Sequence, residues 1–297
     1  MGAGLGQRVL VTGAAGMLGS QLLRTAPSGC AAVGTDLAEA PGVAAPGVDL
    51  AAAPAVARLW ERHGPFAGVI HAAAFTAVDL AEEQEDRARR ANAGASRVLA
   101  EAARAHGARL VAVSTDFVFD GESRRPYREE DPPRPLGAYG RTKLEGEREA
   151  LGAHPAGTAV VRTQWLYGPR GKHFPRTIVA LARSKGALRV VDDQVGSPTS
   201  TLELAPALWD VLERGEPGLY HAACEGSCSW HGFTRAILDA CGLSEVRLEP
   251  CTSAEFPRPA ARPAYSVLDS SRLARLRGKS LAHWRDALQA YLACEPL

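Results

Sequence analysis

A glycine-rich turn near the N-terminus sets strict limits on the fold of this chain. Residues 12–19 read T-G-A-A-G-M-L-G, which has the form T-G-x-x-G-x-x-G, and they follow an apolar run over residues 8–12. Such a turn joins a strand of a parallel sheet to a helix whose free N–H groups and positive dipole end bind a pyrophosphate. Gly13 permits the tight turn, Gly16 admits the pyrophosphate and Gly19 lets the helix pack on the strand. The sequence therefore predicts a dinucleotide-binding α/β fold.

An acidic residue follows this turn at a distance typical of dinucleotide sites. Asp36 lies 17 residues after Gly19, directly after an apolar run over residues 31–35. A carboxylate at this position binds the adenosine ribose hydroxyls of the cofactor. Its charge repels a 2′-phosphate, and Leu37 stands where an arginine could have compensated. The sequence therefore favours NADH as the cofactor, with NADPH as the alternative.

Strand and helix patterns alternate along the first half of the chain. The predicted strands are residues 8–12, 31–35, 68–71, 109–113 and 158–162, and the predicted helices are 16–25, 54–63, 79–106 and 138–151. Such alternation is typical of βαβ units and a parallel sheet. The predicted fold class is α/β, a Rossmann-like doubly wound parallel sheet with a smaller C-terminal substrate lobe. Residues 37–53, rich in Ala, Pro and Gly, are predicted to form a loop.

The length of 297 residues suggests two domains, or one α/β domain with an appended lobe. We interpret residues 1–163 as the NAD(P)-binding Rossmann domain and residues 164–297 as the substrate-binding lobe. After residue 163 the pattern loosens, and the predicted elements are strands near 188–191 and 219–221 and helices near 201–213, 230–241 and 280–293. Residues 198–222, approximately, are expected to pack back on the Rossmann domain. A separate glycine run at residues 2–6 precedes the first strand and is interpreted as a mobile tail.

The charge balance excludes several classes of function. The chain has 34 Lys and Arg against 33 Asp and Glu, a net charge of +1, which argues against binding nucleic acid or a membrane surface. No run of 18 apolar residues and no secretory leader is present, so we expect a cytoplasmic protein. The six cysteines are expected to be reduced. Cys224 and Cys228 are spaced C-x3-C but lack a second pair, so no metal site is predicted.

A tyrosine and a lysine form a candidate proton-transfer pair. Tyr139 and Lys143 lie four residues apart at the start of a predicted helix, which puts both on one face. A nearby ammonium group favours tyrosinate, so we expect Lys143 to lower the pKa of Tyr139 toward neutrality. Thr115 follows the preceding strand, at the sheet edge where ligands bind, and its hydroxyl can hydrogen-bond a substrate carbonyl. The alternative for Tyr139 and Lys143 is a surface pair on a solvated helix. The alternative for Thr115 is a strand end whose hydroxyl satisfies loop backbone.

In this order the motifs resemble the extended short-chain dehydrogenase/reductase family over nearly the whole chain. The segments that carry the resemblance are 71–79, Asn92, 114–121, Tyr139-Gly140-x-x-Lys143, 162–168, 193–199 and 262–266. The resemblance implies that Thr115, Tyr139 and Lys143 are the catalytic set. Cofactor contacts are expected from Gly13, Gly16, Met17, Leu18, Asp36, Ala72, Ala73, Ala74, Tyr139 and Lys143. Substrate contacts are expected from Val78, Asp116, Phe117, Trp165 and Arg262.

The resemblance implies NAD(P)H-dependent reduction of the C4 ketone of a dTDP-linked 4-keto-6-deoxy-L-sugar. Tyr139 is expected to donate a proton to the forming alkoxide, Thr115 to orient the carbonyl and Lys143 to hold the nicotinamide ribose. Dehydration is not expected, because Phe117 and not Glu follows Asp116. Epimerisation is not expected, because no cysteine lies between residues 30 and 224.

Two alternatives stay open. One is a reductase of another nucleotide-linked deoxysugar, since Phe117, His173 and Tyr265 stand where the family commonly has Tyr, Asn and Asn. The other is a non-catalytic regulatory subunit of the same fold. The resemblance is also compatible with a homodimer and a bound Mg²⁺, for which no ligand is assigned.

The remaining distinctive residues are interpreted as structural. Trp60, Trp209, Trp230 and Trp284 fit helical core spacing, and residues 82–86 are interpreted as the solvated face of the long helix. His71 is expected to pack near the cofactor, and Asn92 to hydrogen-bond backbone near the active site.

Overall fold

The computed structural model describes residues 7–297, so the predicted tail at residues 2–6 lies outside the described part of the chain. The strands are β1 (Gln7–Thr12), β2 (Cys30–Asp36), β3 (Val43–Pro46), β4 (Gly68–His71), β5 (Arg109–Thr115), β6 (Thr158–Thr163), β7 (Leu166–Tyr167), β8 (Ala187–Val191), β9 (Val195–Gly196), β10 (Thr199–Ser200), β11 (Gly218–His221), β12 (Cys228–Ser229) and β13 (Arg247–Cys251). The α-helices are α1 (Met17–Arg24), α2 (Ala53–His63), α3 (Val78–Glu83), α4 (Glu85–Arg89), α5 (Ala95–Ala105), α6 (Ala138–Ala153), α7 (Phe174–Lys185), α8 (Thr201–Arg214), α9 (Trp230–Ala240), α10 (Ser271–Arg277) and α11 (Trp284–Cys294).

The central sheet has the strand order β11-β6-β5-β4-β1-β2-β3, and each neighbouring pair is parallel. The chain runs outward from β1 through β2 to β3 and then crosses back to β4 on the other side of β1. Ligands of doubly wound sheets bind at such a reversal, beyond the carboxyl ends of the strands. The predicted Rossmann-like α/β fold is therefore confirmed.

Alternate residues of each strand enter two hydrophobic layers, one on each side of the sheet. On β1, Val9 and Val11 belong to the layer that α1 and α8 cover, whereas Leu10 belongs to the layer under α2 and α5. Both faces of the sheet are covered, and the central strands β1, β4, β5 and β6 contribute apolar side chains to both layers, which is typical of parallel sheets.

The C-terminal part of the chain adds short strand pairs and helices to this sheet. The pairs are β7 with β10, β9 with β12 and β8 with β13. Helix α8 packs on the sheet, where the Trp209 indole N–H donates to the Leu22 carbonyl at 3.2 Å, and β11 pairs with β6. The core of the lobe is continuous with one layer of the sheet, and the division at residue 163 stays a proposal.

The single helix predicted for residues 79–106 is wrong. Gln84, with φ −126° and ψ 46°, ends α3 before α4 begins, and residues Arg90–Gly94 form a π-helical turn before α5. Backbone and side-chain contacts of Asn92, described below, account for that turn. The predicted loop 37–53 contains β3 and the first residue of α2. Along residues 7–297, none of the helices combines the length and apolarity needed to cross a membrane.

Candidate active site

A cleft of about 810 Å³ opens at the carboxyl ends of β1, β2, β4, β5 and β6. Within residues 7–297 it collects every predicted site residue except Arg262. Those that line it are Gly13, Gly16, Met17, Leu18, Asp36, Ala72, Ala73, Ala74, Val78, Thr115, Asp116, Phe117, Tyr139, Lys143 and Trp165. The sequence separation of these residues shows that the sheet topology, and no local segment, assembles the site.

The turn requires glycines because neighbouring backbone packs directly against it. Gly13 has φ +69°, and a Cβ there would lie 2.8 Å from the backbone nitrogen of Ala73. A Cβ on Gly19 would overlap the Gly13 carbonyl, so α1 approaches the turn as the motif predicts. Among the described residues, no side chain caps the N-terminus of α1 at Gly16. Its free N–H groups can therefore hydrogen-bond a pyrophosphate.

Asp36 lies beside the glycine turn at the end of β2. Its carboxylate accepts hydrogen bonds from the backbone N–H groups of Ala15, at 3.0 Å, and Ala38, at 3.1 Å. The neighbouring Leu37 side chain is 73% exposed. The carboxylate is thus fixed at the rim of the cleft, where it fits ribose hydroxyls. The turn and Asp36 together fit a dinucleotide cofactor.

Two elements bring Thr115, Tyr139 and Lys143 together: β5, which ends at Thr115, and α6, whose first two turns carry Tyr139 and Lys143. Lys143 is buried, and its Nζ donates to the carbonyl of Val113 at 2.7 Å. The Thr115 hydroxyl donates to the Asp116 carboxylate at 3.0 Å and accepts from the Phe117 N–H at 3.2 Å. The Thr115 hydroxyl is also close enough to Tyr139 to act on the pKa of its phenol. Phenol, hydroxyl and ammonium groups therefore share one wall of the cleft.

The pKa values at this wall differ from the expectation. Burial raises the pKa of Tyr139 to about 12, the nearby Thr115 hydroxyl opposes this, and the charge of Asp116 adds a smaller upward contribution. Burial lowers the pKa of Lys143 to about 8, which the charge of Glu147 partly opposes. The expectation that Lys143 lowers the pKa of Tyr139 is therefore wrong for this arrangement. The ammonium group is directed to Val113, and desolvation of the phenol dominates.

Asp116 is a buried carboxylate next to this wall. Within residues 7–297 its Oδ2 has no hydrogen-bond partner, while Oδ1 accepts from Thr115. Burial raises the pKa of Asp116 to about 6, against the lowering effect of the nearby Ser266 and Thr115 hydroxyls. A buried acceptor without a partner in a cleft can be satisfied by a ligand hydroxyl.

A buried ion pair anchors α6 beneath the site. Glu147, one turn after Lys143, pairs with Arg162 on β6 at 2.6 Å, and both side chains are almost fully buried. The hydroxyl of Ser114 on β5 donates to Glu147 at 2.5 Å. Sequence reasoning did not identify this network, although the four-residue spacing of Lys143 and Glu147 places them on one helix face. It ties α6 to the two strands that end at the cleft.

Acidic residues before the site hold the start of α6. The Glu82 carboxylate accepts from the N–H of Ala138 at 2.8 Å, and Glu85 forms ion pairs with Arg89 and Arg141, each at 2.8 Å. The interpretation of residues 82–86 as only a solvated face is therefore wrong. Two of these carboxylates fix the helix that carries Tyr139.

Asn92 joins three segments around the cleft. Its Oδ1 accepts from the N–H of Phe75 at 2.8 Å, and its Nδ2 donates to the Thr142 hydroxyl at 3.0 Å. A Cβ on Gly146 would lie 2.5 Å from the Asn92 carbonyl, so α6 packs tightly on the π-helical turn. The expected hydrogen bond from Asn92 to backbone near the site is confirmed.

Two of the predicted substrate residues have different surroundings, since Phe117 lines the cleft and Arg262 does not. The Phe117 ring lies edge-on to the Tyr139 ring, with centroids 5.5 Å apart. Arg262 instead forms a two-pronged ion pair with Asp79, at 2.8 and 3.0 Å, and this joins the C-terminal segment to α3. The structure therefore does not bring Arg262 into the cleft, because the Asp79 carboxylate holds its guanidinium group.

Three further residues from the sequence analysis lie in packed surroundings. His71 contacts the Thr12 hydroxyl at 2.8 Å, and burial, then the charge of Lys143, lowers its pKa to about 3. His173 caps α7 and hydrogen-bonds the Tyr291 hydroxyl at 3.1 Å, away from the residues that line the cleft. The backbone N–H of Tyr265 donates to Gly121 at 3.2 Å. Among residues 7–297, no three His, Cys, Asp or Glu side chains are grouped as metal ligands.

Comparison with known proteins gives consistent results across the chain. A family described as "RmlD substrate binding domain" matches residues 7–295. A protein of Mycobacterium tuberculosis named dTDP-4-dehydrorhamnose reductase is 43% identical over 297 residues, covering 98% of this chain and 94% of that protein. A Streptomyces antibioticus protein named probable dTDP-4,6-dihydroxy-2-methyloxan-3-one 4-ketoreductase is 42% identical, covering 95% and 93%.

A solved structure has the same fold as this chain. The Bacillus anthracis dTDP-4-dehydrorhamnose reductase, crystallised in complex with NADP, superposes with a TM-score of 0.90 at 33% identity, covering 97% of this chain and 99% of that one.

Proposed function

The chain belongs to the RmlD substrate binding domain family, a branch of the extended short-chain dehydrogenases/reductases, and on this premise we propose that it reduces dTDP-4-dehydro-6-deoxy-L-mannose to dTDP-L-rhamnose. The reaction transfers a hydride to C4 of the sugar and a proton to the C4 oxygen. The observation that carries the proposal is that Thr115, Tyr139 and Lys143 line the same cleft as the glycine turn.

The dinucleotide half of the cleft supports a nicotinamide cofactor, which supplies the hydride when bound. Gly13, Gly16 and the start of α1 would hold the pyrophosphate, and residues 72–74 would contact the bound cofactor. The Asp36 carboxylate would accept hydrogen bonds from the adenosine ribose hydroxyls. Because this carboxylate repels a 2′-phosphate and Leu37 supplies no compensating cation, we propose NADH as the preferred cofactor.

Tyr139 is the proposed proton donor. With a pKa of about 12, its phenol remains protonated throughout the neutral range. An alkoxide is a stronger base than a phenolate, so the proton moves to the substrate oxygen once the alkoxide forms. The raised pKa therefore suits Tyr139 to the reductive direction as an acid.

Thr115 and Lys143 complete the proposed catalytic set. The Thr115 hydroxyl lies beside Tyr139 and can exchange its bond with Asp116 for one with the substrate carbonyl oxygen. Lys143 uses one N–H for the Val113 carbonyl, which leaves two for ribose hydroxyls.

The substrate half of the cleft is proposed to hold the sugar against Val78, Asp116, Phe117 and Trp165. The Oδ2 atom of Asp116, which has no partner within residues 7–297, is suited to accept a hydrogen bond from a sugar hydroxyl. Arg262 would act indirectly, through its ion pair with Asp79 next to Val78.

The test is the Tyr139→Phe variant, assayed for loss of NADH absorbance with dTDP-4-dehydro-6-deoxy-L-mannose. Removal of a positioned proton donor lowers rates by about 10²–10⁴-fold, so we expect such a fall in kcat with a nearly unchanged Kd for NADH. Near-wild-type turnover would exclude the mechanism. NADH binding without turnover by the wild type on any keto-sugar would favour a regulatory subunit.

A second candidate is a 4-keto reductase of another nucleotide-linked deoxysugar. The Streptomyces antibioticus relative, nearly as similar as the Mycobacterium tuberculosis one, is named for a different 4-keto substrate. Phe117 at the cleft also departs from the family pattern. The value of kcat/KM for dTDP-4-dehydro-6-deoxy-L-mannose, compared with that for the 4-keto sugar named for the Streptomyces antibioticus relative, decides between the candidates.

A further inference from the structure

Two indole rings stack at the substrate end of the cleft. The ring centroids of Trp165 and Trp230 lie 3.6 Å apart, and the ring planes differ by 7°. Trp165 follows β6 and lines the cleft, whereas Trp230 is the first residue of α9 and, within residues 7–297, is not among the lining residues. The pair therefore connects the lobe to the cleft.

Trp165 has a backbone conformation that its surroundings must hold. Its φ of +48° lies in the left-handed region, which is unfavourable for a bulky residue and is found where neighbouring structure enforces it. Its carbonyl accepts from the N–H of Thr199 at 3.2 Å. A Cβ on Gly196 would lie 2.5 Å from the Trp165 indole, so only glycine gives the ring its place.

Contacts with other residues of the C-terminal lobe fix the position of Trp230. Its indole N–H donates to Gln194 Oε1 at 3.2 Å, and the Phe174 ring lies 4.4 Å from its ring. Gln194 Nε2 donates to the Ser253 hydroxyl at 2.8 Å. Trp230 packs against the hydrophobic core, as its interpretation as a core residue predicts, but only in part. It remains partly exposed, and it differs in this from the buried Trp60 and the two other tryptophans assigned to the core.

We propose that Trp230 is a positioning residue that fixes the plane of Trp165 against the bound sugar. One face of Trp165 is covered by Trp230, so the part of the indole that lines the cleft can meet a sugar ring in only one orientation. Trp230 lies outside the reacting groups, and its effect is on substrate binding. The proposal depends on the proposed function only in that the ligand is a nucleotide-sugar.

The first test is spectroscopic and needs no substrate. Closely stacked indoles couple electronically and give a paired positive and negative band in circular dichroism. We expect this couplet in the wild type and its loss in Trp230→Leu, while Trp60→Phe, a buried tryptophan in the other layer of the sheet, retains it. A couplet that persists in Trp230→Leu would overturn the proposal.

The second test separates binding from chemistry. In Trp230→Leu we expect KM for the keto-sugar to rise about tenfold, with kcat and the Kd for NADH within about twofold of wild type. Trp230→Phe, which keeps a stacking ring, should restore most of the affinity. Gly196→Ala should also raise KM, because its methyl group would overlap the Trp165 ring and displace it.

Calorimetric binding of dTDP-L-rhamnose makes the result independent of turnover. A tenfold weaker Kd in Trp230→Leu and Gly196→Ala supports the proposal, and a wild-type Kd in both overturns it. Absence of turnover in the wild type would overturn the proposed function alone, since the calorimetric comparison still decides the role of Trp230.

Discussion

For Tyr139, the sequence specifies the position of the side chain but not the shift of its pKa. The Tyr-x3-Lys spacing correctly predicts that Tyr139 and Lys143 share a helix face and meet in the cleft. It does not specify the burial of the phenol or the direction of the ammonium group. These depend on β5, which supplies the Val113 carbonyl and Asp116. The direction of the pKa shift was therefore not predictable from spacing.

The buried carboxyl group of Asp116 predicts a pH-dependent stability. Its pKa is about 6 in the folded state and near 3.8 when unfolded, so the folded state binds more protons between these values. Linkage then requires this group to lower the free energy of unfolding as pH rises from about 4 to about 6. In Asp116→Asn that decline is absent. The stability difference between variant and wild type should therefore shift in favour of the variant across this range.

Chemical denaturation at about pH 4.5, 5.5 and 7 measures this difference. Asp86→Asn, which removes a fully exposed carboxylate, is the matched control and should show a smaller dependence. A constant offset between Asp116→Asn and wild type at all three pH values would refute the prediction.

Asp36 predicts cofactor selectivity at the same scale. The double variant Asp36→Ser/Leu37→Arg removes a charge that repels the 2′-phosphate and adds one that attracts it. We expect the ratio of kcat/KM for NADH to that for NADPH to fall by about tenfold or more. Leu37→Arg alone should produce part of the change. If the ratio is the same in all three proteins, Asp36 does not determine the preference.

Apolar runs predicted most strands of the sheet, whereas helical periodicity failed where side chains interrupt a helix. The apolar pattern over residues 79–106 continues through α3, α4 and α5, so it contains no signal for the break at Gln84 or the π-helical turn. That turn depends on Phe75 and Thr142, which lie far away in sequence and satisfy Asn92. Such turns often occur at functional sites.

Asn92 therefore predicts a coupled loss of stability and activity. Asn92→Ala leaves the Phe75 N–H and the Thr142 hydroxyl without their partner, which costs about 1–3 kcal/mol of unfolding free energy. Because Thr142 lies between Tyr139 and Lys143 on α6, kcat should also fall. Arg97→Ala, on the exposed side of α5, should change stability by less than about 0.5 kcal/mol. Equal effects of the two variants in denaturation and turnover assays would argue against this role.

At the scale of the whole molecule, the sheet was more predictable than the lobe. The five sheet strands predicted in the first half are long enough to show an apolar run. Strands β7, β9, β10 and β12 have two residues each, which no periodicity can identify. Their positions depend on tertiary contacts such as the tryptophan stack. Arg262 failed as a cleft residue for a similar reason, since its partner Asp79 lies 183 residues earlier.

The buried histidines predict how the whole fold responds to acid. Burial lowers the pKa of His71 and His221 to about 3 and that of His173 to about 4. Below about pH 6.5 the unfolded chain binds protons that the folded protein does not, so stability falls as pH drops. These three groups oppose and exceed the contribution of Asp116.

The free energy of unfolding at about pH 7 and about pH 5 measures this response. We expect a lower value at pH 5 for the wild type and a smaller drop for His221→Gln, which lacks one of the buried imidazoles. Equal stability of the wild type at both pH values would count against the account of buried neutral histidines.

Hydride transfer to C4 of the sugar is the central claim, and an isotope experiment tests it most directly. The wild-type protein is incubated with dTDP-4-dehydro-6-deoxy-L-mannose and NADH that carries deuterium at C4 of the nicotinamide, and the product is analysed by NMR. We predict dTDP-L-rhamnose with deuterium at C4 of the sugar and almost no product from Tyr139→Phe. Bound NADH that leaves the keto-sugar unreduced, or deuterium at any other sugar carbon, would contradict the account.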